Sequence, residues 1–174
     1  MMNAVRLGFP ACFLGLLLTA CLLGPASGPS AATATAPTPA ARSAATARLE
    51  ADAMAIINRV RVRAGCPALR VDSALRLAAR RHSALMARRG DLSHRLSGES
   101  TLQRRIAAAG YTGATMVGEV IAFGPRTAYD VVRTWVRSTP HRTILTTCRF
   151  RHLGAGLAVD GRGRYWWTVD LGRR

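Results

Sequence analysis

Lysine is missing from this chain of 174 residues, and acids are scarce: nine Asp and Glu stand against twenty-five basic residues, every one an arginine. The formal net charge is +16. The arginines run along the whole chain rather than clustering with aromatics, which are only 6% of residues, so no nucleic-acid groove is indicated. Such a charge suits loose association with anionic wall polymers or lipid headgroups, or simply a solvated surface. Charge alone assigns no partner. Paired Cys-x-x-Cys or histidine spacing is also lacking, which excludes a structural zinc site of the usual kind. There is no Gly-x-Ser-x-Gly elbow and no internal repeat.

Long apolar runs are reduced to one, at residues 7–23 (LGFPACFLGLLLTACLL), with Arg6 before it and small residues after it. It is too short and wrongly flanked for a membrane span and has the form of a secretory signal, expected over residues 1–28. The stretch LTAC within it resembles the lipobox of bacterial lipoproteins, so lipidation of Cys21 stands as the alternative to ordinary cleavage among the small residues that follow. Residues 29–48 are rich in Ala, Thr and Pro without apolar periodicity, and they read as a disordered linker. The folded domain is expected over residues 49–174, enough for a genuine core.

Of four cysteines, Cys12 and Cys21 fall in the signal, leaving Cys66 and Cys148. Export places that pair in an oxidising compartment, so a Cys66–Cys148 disulfide is expected. In the chain-entropy account, a loop of this length is worth about 4 kcal/mol.

The spacing of apolar residues predicts a helix over 49–64 that stops at Gly65 and Pro67, and a second over 73–89 capped from Asp72 and Ser73. Ser100 can cap a third over 101–109. Residues 117–123 read as a strand and 127–138 as a helix, with Pro140 in the first turn of a shorter one. Residues 152–159 and 165–171 alternate as strands around the turn DGRG. The sum is an α+β layered domain with a small, mainly antiparallel sheet between helices. Trp135, Trp166 and Trp167 read as core.

One position resists that bland reading. Glu119 sits in VGEVIAFGP, an otherwise apolar strand, where a carboxylate must be paired, hydrogen-bonded or used. His94 in DLSHR and His141 in STPHRTIL also lie beside element ends. Two imidazoles and a carboxylate can ligate a divalent cation, zinc or magnesium, with positions open to water, or do acid–base work. Ser138 lies three residues before His141, so Ser138, His141 and Glu119 make a rival hydrolase reading, although no oxyanion hole can be assigned. His82 faces inward on its helix and reads as a core histidine, and His152 as a strand-end residue. No organic cofactor is indicated.

Taken in order, Ala79-x-x-His82-Ser83, Ser93-His94, Gly110-Tyr111, Gly118-Glu119, Trp135-x-x-Ser138, Pro140-His141-Arg142, Ile144-Leu145, Gly154-x-Gly156 and Tyr165-Trp166 resemble the CAP superfamily. This is the domain of cysteine-rich secretory proteins, antigen 5 and pathogenesis-related 1 proteins, here in its bacterial SCP-like form. The resemblance implies an α-β-α sandwich whose cavity is lined by two histidines and two acids, with a divalent cation on the histidines in several members. The matching positions are His94, Glu119 and His141; where the second acid would stand, this chain has Ser138. Val120 replaces the asparagine after the Gly-Glu pair, and Pro140 replaces the usual glycine before the second histidine. The expectation is a secreted or surface-tethered monomer that acts outside the cell by binding. Resemblance adds sterol or lipid as ligand classes. The alternatives are an extracellular hydrolase or peptidase, and a wall-associated structural domain with a vestigial site.

Overall fold

The computed structural model describes residues 38–174. The expected signal, Cys12, Cys21 and residues 29–37 of the expected linker lie outside the described residues.

Helix α1, Pro39–Arg63, begins ten residues before the predicted start. Residues 39–48, read from sequence as linker, are its first turns. Thr38 is extended and its side chain accepts from Ala41 N at 3.2 Å, with Pro39 in the first turn. Alanine supplies the helical preference that follows. Most of this segment is solvent-exposed, which is why no apolar stripe announces it.

The chain continues through strand β1 (Arg70–Val71), helices α2 (Ser73–Arg89) and α3 (Leu102–Ala108), and strand β2 (Met116–Phe123). Helices α4 (Ala128–Arg137) and α5 (Thr139–Leu145) follow, then strands β3 (His152–Val159) and β4 (Tyr165–Arg173). The four strands form one sheet in the order β1-β3-β4-β2. The β3–β4 hairpin and the β2–β4 pair are antiparallel, and only the two-residue β1 runs parallel to its neighbour. The fold is therefore α+β, and β2 is an edge strand.

Alternation sends the two faces of the sheet to different helices. Val120, Ala122, Leu153, Ala155, Trp167, Val169 and Leu171 pack with Ile57 of α1 and with Val131 and Trp135 of α4. The opposite face receives α2 and α3. There α2 lies so close to β3 that a Cβ on Gly154 would come 2.2 Å from Arg76 N, and one on Gly156 2.3 Å from Ala79 C. The Gly-x-Gly spacing of β3 is thus a contact surface for a helix backbone. Ser83 of α2 donates to the Gly156 carbonyl at 3.0 Å on that face.

Two polar ties hold the layers. Glu50 of α1, 1% exposed, accepts from Arg80 Nε at 2.9–3.0 Å and from Leu157 N at 3.1 Å. Arg61 is fully buried and donates to the carbonyls of Pro67, Leu145 and Thr147. Beside it Cys66 and Cys148 form the expected disulfide. Among the described residues no helix is long and apolar enough to cross a membrane.

Candidate functional site

Glu119 is held on the face of β2 that looks toward α2 and α3. It is 5% exposed, and both carboxylate oxygens are engaged. Oε1 accepts from His94 Nδ1 at 2.8 Å, and Oε2 accepts from Arg105 Nη2. The buried acid is paired, then, with one of the residues expected beside it and with one that was not. Arg105 of α3 also pairs through Nη1 with Glu99 at 3.1 Å and donates to the His94 carbonyl at 2.9 Å. Glu99 Oε1 faces His82 Nδ1 at 2.7 Å, and His82 Nε2 donates to the Ser93 carbonyl at 2.9 Å. One connected chain of groups, His82–Glu99–Arg105–Glu119–His94, therefore fixes the loop between α2 and α3. His82 is the buried, satisfied core histidine that its helical face predicts. The Leu96 amide and the neighbouring His82 and Arg105 hold the Glu99 carboxyl below its usual range against the opposing effect of burial, the largest single influence.

The two site histidines differ in exposure. The side chain of His94 is 57% exposed, and only its Nδ1 edge is tied down. A carboxylate oxygen only accepts, so the Nδ1 edge carries the hydrogen that is donated to Glu119. His141 is half-buried at the start of α5, with Nδ1 2.8 Å from Ser138 Oγ. Burial, and then the charge of nearby His94, push its pKa below the ordinary histidine value, which favours the neutral imidazole. Among the described residues neither Nε2 has a hydrogen-bond partner.

His94 and Glu119 thus meet directly, and His141 lies near enough to feel the charge of His94. The hydrolase arrangement is not assembled. Ser138 does bond His141, but Glu119 is committed to His94 and Arg105, and the Nδ1 edge that an orienting carboxylate would need is taken by Ser138 itself. Among the described residues no group of three or more His, Cys, Asp or Glu side chains is placed to hold a metal ion. The carboxylate does not fit that role because an arginine already neutralises it. The two imidazoles are each tied through Nδ1 and have no hydrogen-bond partner on Nε2 among the described residues.

Sequence reasoning missed Arg105, Glu99 and Asp170. Arg105 was one arginine among many. Asp170, in WTVDLG of β4, is fully buried directly across from Glu119 in the β2–β4 register. It carried the signal that singled out Glu119, a lone acid in an apolar strand. Burial, and then the charge of Glu119, hold its carboxyl well above the usual range despite the opposing field of Arg105.

The sequence matches the family model described as CAP: Cysteine-rich secretory protein family over residues 54–171. None of the curated proteins matches this chain. Solved structures share its fold. An extracellular protein containing a SCP domain from Bacillus anthracis aligns with a TM-score of 0.73 at 24% identity, covering 80% of this chain and 45% of that one. An outer surface protein from Borrelia burgdorferi aligns with a TM-score of 0.64 at 20% identity, covering 70% and 89%. The venom allergen-like protein 4 of Schistosoma mansoni aligns at 0.52 with 13% identity, covering 72% and 89%.

Proposed function

The chain belongs to the CAP, or cysteine-rich secretory protein, family, and from that premise we propose that it works outside the cell as a binding domain whose site holds a divalent cation between His94 and His141. Export is supported by the apolar run at residues 7–23, by the disulfide, and by the outer-surface and extracellular descriptions of two structural relatives.

One observation carries the cation reading. Each imidazole is anchored through Nδ1, His94 on Glu119 and His141 on Ser138, both at 2.8 Å. A histidine that binds a metal commonly uses its other ring nitrogen in this way: at His94 the carboxylate fixes the tautomer with the hydrogen on Nδ1, and at His141 the Ser138 hydroxyl steadies the ring. Glu119 then serves as an orienting partner rather than a ligand, and so does Ser138. Two nitrogen donors suit zinc better than magnesium, which prefers oxygen. When bound, the ion would keep positions for water or for a ligand that donates to it.

Zinc titration of the folded protein tests this. Thermal melts should rise with zinc, by about 2.7 kcal/mol of stability at one hundred times Kd, and magnesium should leave them unchanged. His94→Ala and His141→Ala should each abolish the shift, while Ser138→Ala should weaken zinc by roughly tenfold. No zinc shift in the unaltered protein would overturn the reading.

A further inference from the structure

Beside the His82–Glu99–Arg105 chain, α2 and α3 leave an open cleft of about 410 Å³ whose lining includes neither site imidazole. Its walls carry Arg81 and Arg88 from α2 and Arg104 and Arg105 from α3, with Ser100 and Glu99 at the entry to α3. From this cleft we propose that the protein has a second, anion-binding site that takes a phosphate-bearing ligand.

Charge placement carries the inference. Arg81, Arg88 and Arg104 are exposed, and none has a carboxylate within ion-pair distance among the described residues. All nine acids of the chain fall within residues 50–170, among the described residues. The one acid in the cleft wall, Glu99, is already engaged by His82 and Arg105. Three positive charges therefore converge on a concave surface with no internal counter-charge, whereas other arginines of α2, Arg76 and Arg80, are matched to Glu50.

A fourth arginine lines the cleft in a fixed orientation. Arg105 is 9% exposed and clamped by Glu99, Glu119 and the His94 carbonyl, so its orientation is set before any ligand arrives. Its Nε is buried and has no hydrogen-bond partner. Guanidinium groups favour phosphate because their N–H forks match two of its oxygens at once. The volume exceeds that of one phosphate, and Ala78 and Leu85 give the cleft an apolar wall. The group recognised is thus a phosphate attached to a larger body, either a free phosphomonoester or a lipid headgroup.

The test compares two double variants of equal charge in the full chain. Arg88→Gln/Arg104→Gln empties the cleft of two guanidiniums, and Arg63→Gln/Arg133→Gln removes two exposed arginines elsewhere. Calorimetric titration with glycerol 3-phosphate reads the free source, and co-sedimentation with phosphatidylglycerol vesicles, against phosphatidylcholine vesicles, reads the headgroup. Binding in either arm that falls tenfold or more in the cleft variant and less than twofold in the control supports the site and identifies its source. Both changes lie on exposed residues, and unchanged melting curves confirm that folding is not the cause. Zinc binding by the cleft variant should equal that of the unaltered protein, which separates this site from the imidazole pair. Equal losses in the two variants, or no binding of either probe, would overturn the proposal.

Discussion

Asp170 is fully buried in β4, and neither of its oxygens has a hydrogen-bond partner among the described residues. Its carboxyl is pushed up, first by burial and then by the charge of Glu119. In the unfolded chain the same group releases its proton in the ordinary aspartate range. Folding therefore takes up a proton between the ordinary and the raised value, and stability falls as pH climbs through that window. Asp170→Asn removes the titration. Its melting temperature relative to the parent should rise progressively from pH 4 to pH 8, and an offset independent of pH would contradict the account. Legibility at this scale was uneven. A lone acid in an apolar strand marks Glu119, and the same signal at Asp170 is masked by the alternation of the hairpin strand that holds it. Arg105 gave no signal, since an arginine on a short, mostly polar helix is ordinary until its partner is known.

At the scale of elements, most of the fold could be read from punctuation. Gly90 adopts a left-handed conformation at the end of α2, with φ 65°, and the Asp72 side chain caps its start by accepting from Ala74 N and Leu75 N. The bounds of α2 and β3 agree with the reading from sequence. Two elements escaped it: β1 spans only two residues and has no periodicity, and the early turns of α1 bury almost nothing. The Gly-x-Gly of β3 was visible as a motif, but its cause is the helix lying on it. Gly156→Ala would drive a methyl into the backbone of α2 at Ala79 and Arg80. Denaturant unfolding should show a loss of about 1–3 kcal/mol or more from overpacking. A variant as stable as the parent would mean that α2 does not sit this tightly on the sheet.

For the molecule as a whole, the disulfide and Arg61 fasten the end of α1 to the segment after α5, which is the helix carrying His141. Cys66→Ser/Cys148→Ser should cost about 2–5 kcal/mol by removing a constraint on the unfolded chain, read by denaturant titration of the oxidised parent against the variant. An unchanged midpoint would contradict that role. The site itself depends on this scale. Its residues come from the α2–α3 loop, from β2 and from α5, and periodicity could nominate His94, Glu119 and His141 but not their partners. Only three-dimensional placement gives Glu119 to Arg105 and turns it from a ligand into an anchor.

Nitrogen-15 NMR of the imidazole rings, recorded before and after zinc, tests the central claim most directly. The account predicts that Nε2 of His94 and Nε2 of His141 shift together while both Nδ1 atoms stay protonated and bonded to Glu119 and Ser138. A spectrum in which only one ring responds, or in which an Nδ1 atom gives up its proton to the metal, would contradict it.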